Sequence, residues 1–372
     1  MVLGDSLLGL TGEEAMAAAC DLPGGSSMAG RMYRHLFTSG RFEPENYGLA
    51  SASVAAWRSR FSAELFAVQQ VVEEPGAFGA TAKAQFITQD GHAIECVRIP
   101  MRSTEATPDD ETPNAERRTS NLSSTLCLSS QVGCRMGCSF CETGSLGLLR
   151  QLTAAEIVSE VLTARFVLGW ECRNLVFMGM GEALDNVDQL IQALKILTDK
   201  RGLHYSQERL TVCTAGHAAG IARLKALGWK RLNLSISLNA TTDELRDRLM
   251  PVNRRTGLAE LQRILADYPQ RRNFTLGVNY CLMPGLNDSR EDATRIAAFC
   301  RPLGRALVNL IPYNPGSKAL TRPPSEVEVL RFVAWLREDG VAVRRRITKG
   351  RSIMAACGQL GSAKLRLTTF EE

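Results

Sequence analysis

Three cysteines crowd into eight residues of the segment SQVGCRMGCSFCETG, at Cys134, Cys138 and Cys141. A short apolar run, TLCLSSQ, precedes them and reads as a strand. Three thiolates in so tight a loop can ligate three irons of a 4Fe-4S cluster, whereas a four-cysteine set occupies every iron. The fourth iron is then open, and S-adenosylmethionine can chelate it through its amino and carboxylate groups. Phe140, between the last two cysteines, can shield the cluster. A CxxC pair alone suits zinc. The longer CxxxCxxC spacing, at a strand-to-loop junction, points to the cluster instead.

A second feature is FMGMGE, which ends the next apolar run and places Gly179, Gly181 and Glu182 at a strand terminus. Glycines let a backbone approach a ligand, and Glu182 can accept from an amino group or a ribose. The plain alternative is a tight turn between strand and helix. Cys213, Ser237, Asn239 and Asn314 also fall at or just past strand ends. Polar residues there are often caps or turn formers, but in a barrel the strand C-termini surround the ligand site. The third feature is IMAACGQLG, with Cys357 followed by glycine in a stretch without regular periodicity. It reads as a loop over an active site, or as a buried structural thiol. Cys127, seven residues before Cys134, is a core residue or a thiol facing the site. Glu95 carries no signal of its own.

The elements that position these residues follow from periodicity. Residues 1–30 are rich in Gly, Ala and Ser and lead to an expectation of loose structure at the start. RMYRHLFTSGRF and SVAAWRSRFSAELFAVQQVV read as helices of a small N-terminal domain, residues 1–80. AKAQFITQDGHAIECVRIPM alternates about a QDG turn, the pattern of a β-hairpin. The polar stretch 102–123 reads as a flexible loop, so 81–125 forms a hairpin and loop. From 126 to 350 short apolar runs alternate with helical segments, which implies βαβ units and a parallel sheet. Some six units fit an α/β partial (β/α)6 barrel better than a doubly wound sheet. Residues 351–372 form a C-terminal loop and tail.

The chain of 372 residues has 45% hydrophobic and 22% charged residues, ordinary for a soluble globular protein. It has no long apolar run, and its start lacks a basic n-region, so a cytoplasmic protein without a membrane span is expected. Net charge is +5, with Arg117–Arg118, Arg254–Arg255, Arg271–Arg272 and Arg344–Arg345–Arg346 in runs. Guanidinium forks suit phosphates, although such runs can equally be solvated faces. Eleven cysteines, an odd number at uneven spacing, argue against a disulfide framework. Cys20, Cys172, Cys281 and Cys300 read as small buried hydrophobes.

CLSSQVGCRMGCSFCETG, FMGMGE, RDRLMPVN, NLIPYNP and AACGQLG, in this order, resemble the RlmN/Cfr family of radical-SAM adenine methyltransferases. The resemblance covers residues 92–361 and extends more weakly to RMYRHLFTSGRF, which looks like that family's small RNA-facing domain. It implies methylation of an adenine carbon, carbon 2 ahead of carbon 8, in ribosomal or transfer RNA. Because those carbons are electrophilic, the family first methylates an enzyme cysteine, which matches Cys357. A radical from a second S-adenosylmethionine activates that methyl for addition to the base. The resemblance makes Cys127 the thiol that resolves the protein–RNA adduct by a transient disulfide with Cys357, and Glu95 the proton acceptor. It assigns S-adenosylmethionine contacts to Gly181, Glu182, Cys213, Ser237, Leu238, Asn239 and Asn314. It further implies an electron donor such as flavodoxin or ferredoxin, and a monomer suffices for the mechanism. Three positions depart from the family: Ala183 stands for a proline, Cys213 for a serine and Asn239 for a histidine. The alternatives are a radical-SAM enzyme of another class acting on a small molecule or peptide, in which Cys357 is dispensable, and an RNA-binding or iron-sensing protein that does not cleave S-adenosylmethionine.

Overall fold

A computed structural model describes residues 5–102, 122–268, 271 and 274–361. The polar stretch expected as a loop falls, at 103–121, outside them, as do Arg117–Arg118. The N-terminal part opens with β1 (Asp5–Ser6), then helices α1 (Gly12–Ala18), α2 (Gly25–Ser39) and α3 (Ser51–Arg60), and β2 (Phe61–Ser62), which pairs with β1. The expectation of loose structure in the first thirty residues is corrected from Asp5 onward. α1 starts on a capping box, where Thr11 accepts from the Glu14 amide and Glu14 reaches back to the Thr11 amide. Tyr33, Phe37, Trp57 and Phe61 are all buried beneath these helices.

The helical pattern expected to run to Val72 ends at Arg60, and Ala67–Glu74 is strand β3. The cause is tertiary. AVQQVVEE pairs antiparallel with β4 (Thr81–Ile87), from Ala67 opposite Ile87 to Glu74 opposite Thr81. Its two adjacent valines suit a pleated strand better than a helix. The expected hairpin, β4 with β5 (Ala93–Arg102), is thus the inner part of a three-stranded antiparallel extension. β5 then pairs antiparallel with β6 (Leu122–Cys127), where the parallel region begins.

After β6 the chain makes the small pair β7 (Gln131–Gly133) and β8 (Leu148–Gln151) around helix α4 (Glu142–Leu146). Helix α5 (Ala154–Leu162), strand β9 (Asn174–Phe177), helix α6 (Val187–Thr198), strand β10 (Leu210–Thr214), helix α7 (Ala218–Ala226) and strand β11 (Asn233–Ser237) follow in alternation. Helices α8 (Asp243–Leu249) and α9 (Leu258–Ala266) precede β12 (Leu276–Leu282), α10 (Arg290–Cys300), β13 (Ala306–Pro312), α11 (Glu326–Glu338) and β14 (Val343–Arg345). The sheet order β14-β13-β12-β11-β10-β9-β6-β5-β4-β3 has no reversal, so it lacks the switch point of a doubly wound sheet. It is an open partial barrel of six parallel strands, with β14 as a short seventh. Alternate residues of these strands, such as Leu175, Val212, Ile236, Val278 and Val308, are fully buried between sheet and helices. Among the described residues no helix is long and apolar enough to cross a membrane.

Candidate active site

The C-terminal ends of β9 to β13 surround a cavity of about 170 Å³, the end at which barrels of this kind bind ligands. Cys134, Cys138 and Cys141 line it, as do Gly179, Gly181, Glu182, Cys213, Ser237 and Asn239. Cys357 and Gly358 close one side. Residues far apart in the chain thus meet at one place. Among the described residues, no group of cysteines, histidines and carboxylates is arranged to hold a single metal ion. The cysteines are all free thiols.

The cluster loop is clamped by its flanking strands. Gly133 has φ of +78°, and a Cβ there would lie 1.9 Å from the Gly147 carbonyl oxygen, so only glycine fits. The Cys134 amide donates to that carbonyl at 2.8 Å, and the Ser139 amide donates to Leu249 O at 3.0 Å. Burial pushes the Cys134 thiol up to about 12 and raises those of Cys138 and Cys141. Metal ligation needs thiolates, so loading this loop must expel protons.

The glycines of FMGMGE serve the protein's own packing. A Cβ at Gly179 would lie 2.5 Å from Leu128 O, and one at Gly181, where φ is +103°, 2.6 Å from Gln131 Cβ. The turn therefore lies against the end of the cluster strand and delivers Glu182 into the cavity. The Glu182 carboxylate accepts from the Leu184 amide at 3.1 Å and the Ala215 amide at 2.7 Å. Burial raises it to about 7 against these hydrogen bonds. Asn239 takes a left-handed φ of +56°, which asparagine tolerates. Its Oδ1 accepts from the Cys281 amide at 2.9 Å and its Nδ2 faces Met250 Sδ at 3.4 Å. Burial pushes the Cys213 thiol to about 12, with Arg346 pulling the other way.

Four of the candidate residues stand behind this wall. Leu238 is buried and presents its carbonyl to Arg246 Nε at 3.0 Å. Asn314 Oδ1 accepts from Arg351 at 3.0 and 2.9 Å, anchoring the C-terminal loop. Cys127, the last residue of β6, is buried, which pushes its thiol well up; neighbouring Cys357 and Cys213 push it the same way. Glu95, 3% exposed, pairs with Lys83 Nζ at 2.9 Å and accepts from the Gly361 amide at 2.8 Å.

The loop that carries Cys357 is held by the cluster side as well. The Glu142 amide, directly after Cys141, donates to Gly358 O at 2.8 Å, and Thr143 Oγ1 donates to Leu360 O at 2.7 Å. Cys357 is exposed at the cavity mouth. The surrounding wall still raises its thiol, and the Arg346 guanidinium pulls it back.

Sequence reasoning missed several members of the wall. Cys281, expected to be inert, lines the cavity, and Cys20 is exposed rather than buried. Met250, Asn279 and Tyr313 also line it. Asn279 is 2% exposed, and its Oδ1 accepts from Asn309 Nδ2 at 3.0 Å while its own Nδ2 has no partner among the described residues. A polar residue inside each of the apolar runs GVNYCL and LVNLIP was the available signal. Three thiols on one loop, a carboxylate and an unpartnered amide donor around one cavity form a set that fits a cluster and an amino-acid cofactor. The thiols would hold irons, Glu182 an amino group, and Asn279 an acceptor.

The Radical SAM superfamily model matches residues 128–297. A probable dual-specificity RNA methyltransferase RlmN 1 of Protochlamydia amoebophila is 41% identical over 288 residues, covering 77% of this chain and 75% of its own. The dual-specificity RNA methyltransferase RlmN of Syntrophotalea carbinolica is 42% identical over 281 residues, 75% of this chain and 69% of its own. Among solved structures, a radical SAM methyltransferase from Sphaerobacter thermophilus superposes with a TM-score of 0.80 at 32% identity, covering 96% of this chain and 99% of its own.

Proposed function

Because the chain belongs to the RlmN family of radical-SAM RNA methyltransferases, we propose that it methylates an adenine carbon of ribosomal or transfer RNA, carbon 2 ahead of carbon 8, through an S-methylcysteine at Cys357. The observation that carries this reading is the shared cavity: Cys357 faces the space lined by the three cluster thiols and Glu182. When bound, the cluster and S-adenosylmethionine supply a methyl group and a hydrogen-abstracting carbon radical. The chain supplies the rest. Cys134, Cys138 and Cys141 hold the cluster. Gly181, Glu182, Cys213, Ser237, Asn239 and the backbone at Leu238 shape the cofactor site, and Asn314 holds the loop beside it through Arg351. Cys357 carries the methyl group to the base. Once the carbon radical has added to the base, the adduct passes one electron to an external carrier and Glu95 accepts the proton that the adenine carbon must lose. Cys127, whose electrostatic neighbours include Cys357, attacks Cys357 sulfur as a thiolate: the S–S bond forms as the S–CH2 bond breaks, its electron pair passes to the methylene carbon, which takes up a proton to become the methyl group, and a thiol reductant reopens the disulfide. An external one-electron donor and a monomeric enzyme complete the reading.

Peptide mass spectrometry tests it. After cluster reconstitution and incubation with S-adenosylmethionine, the Cys357 peptide is expected to gain the mass of one CH₂, and C357A to transfer no methyl to RNA. An unmodified Cys357 in a protein that still cleaves S-adenosylmethionine sinks the methyl-carrier route.

A further inference from the structure

Both ends of the Cys357 segment are tied to one buried ion pair on the antiparallel extension. Lys83 on β4 and Glu95 on β5 lie on one face, because Lys83 is opposite Val97 and Glu95 is two residues from it. Their side chains are only 11% and 4% exposed, and Nζ sits 2.9 Å from Glu95 Oε1. The same ammonium donates to the Met354 carbonyl at 3.2 Å, three residues before Cys357. The other carboxylate oxygen accepts from the Gly361 amide at 2.8 Å, four residues after it. The backbone of Glu95 adds a third tie: its carbonyl accepts from Ser129 Oγ at 2.8 Å, and that oxygen accepts from the Met180 amide in the GMGE turn at 3.1 Å. The pair therefore lies between the loop and the cofactor wall.

We propose that Lys83 is a positioning residue for the methyl-carrying loop: through Met354 directly, and through Gly361 by way of Glu95, its ammonium holds both ends of the segment that bears Cys357. The inference deepens the proposed function and rests on it for the activity readout. A charged donor that serves a carboxylate and a carbonyl together makes stronger hydrogen bonds than neutral groups would. Burial sharpens the dependence, because removing one partner of a buried pair strands the other. Glu95 has both oxygens engaged. To reach an adenine it must lose the Gly361 amide, so loop release and exposure of the proton acceptor are one movement, with Lys83 as its fixed point.

The experiment uses the full chain with its cluster reconstituted and Cys357 unmethylated, and compares K83M, K83R and wild type. Iodoacetamide labelling of Cys357, read on its own peptide, reports whether the loop is held; methyl transfer to RNA reports whether it is placed. Loss of two charge-assisted contacts is expected to make Cys357 in K83M about tenfold more reactive and transfer about tenfold slower, at unchanged iron content. K83R, which keeps a cation at the site, is expected to restore both. A K83M enzyme that labels and transfers at wild-type rates overturns the proposal, as does one that is slow while Cys357 is no more reactive. If K83M fails to fold, K83M/E95Q, which leaves no unpaired charge, is compared with E95Q alone: faster labelling of Cys357 supports the proposal, and equal labelling overturns it. E95Q keeps an oxygen for the Gly361 amide but cannot take up a proton. Normal transfer by E95Q therefore refutes the role of Glu95 as acceptor without touching that of Lys83.

Discussion

Glu182 shows what burial in the wall of a cavity asks of a single side chain. It is 5% exposed and is buried beside three thiols, so its carboxyl rises from 4.5 to about 7 although two backbone amides donate to it. A carboxyl that binds its proton more tightly folded than unfolded favours the native state at low pH. That contribution is present below about pH 4.5 and is lost as the pH climbs through 7. The full change corresponds to about 3 kcal/mol in the cofactor-free chain. Urea unfolding of wild type and E182Q between pH 5 and 8 checks this. Wild type is expected to lose stability relative to E182Q as the pH rises, with the difference levelling off above pH 8. The slope reads the titration, while any constant offset reports how glutamine's amide meets the Leu184 and Ala215 amides. Equal slopes refute the raised carboxyl. The same cost explains the residue's value: an amino group placed against Glu182 would pair with a carboxylate that water no longer stabilises.

At the scale of elements, the small hairpin β7–β8 decides whether the cluster loop has a shape at all. Gly133 sits where any Cβ would overlap the Gly147 carbonyl, in a backbone conformation that costs other residues about 1–3 kcal/mol even without a clash. G133A is therefore expected to lower the melting temperature and to cut the iron retained after reconstitution, measured by iron and sulfide analysis. A variant that keeps a full cluster shows that the clamp is dispensable. The cysteine spacing was legible in sequence because the ligands are local, and so was the alternation of parallel strands and helices, whose apolar periods are each set within ten residues. What escaped was set by distant partners. Ala67–Glu74 became a strand only because β4 offers it a ladder, and α1 was hidden in a Gly- and Ala-rich stretch whose helical start rests on Thr11 and Glu14. Cys281 read as a small buried hydrophobe of β12, and the one local hint that this strand ends at a cavity was the polar Asn279 inside its apolar run. The RDRLMPVN motif had a clear pattern and no visible reason. Arg246 turns out to be fully buried, donating to Leu238 O, Ser237 O, Ala215 O and Asn253 Oδ1, and so stitches together the strand ends beneath the site.

Across the whole molecule, arginine runs that look alike in sequence separate once their partners are known. Arg271 pairs with Glu208, and Arg345 with Glu326. Arg254 and Arg255, by contrast, are exposed and form no ion pair among the described residues. They end the short helical turn Pro251–Arg254, Arg254 as its last residue and Arg255 as its cap, and this turn lies beside the cavity: Met250 lines it, and Pro251 Cγ would be 3.9 Å from a Cβ on Gly137 of the cysteine loop. A modest net charge of +5 cannot hold RNA by bulk attraction alone, so unpaired guanidinium groups beside the cavity mouth are where phosphates are best met. Each phosphate neutralised releases counterions and contributes about 0.7–0.9 to the slope of log affinity against log salt, so R254A/R255A is expected to flatten that slope by about 1.5. RNA affinity should fall at low salt, while methyl loading of Cys357, which the proposed route places before RNA enters, is expected to proceed as in wild type. Binding titrations at four salt concentrations, run beside the mass measurement on Cys357, separate the two effects. An unchanged slope places the RNA backbone on another face, and a loss of Cys357 loading shows that these arginines support the pocket rather than the substrate.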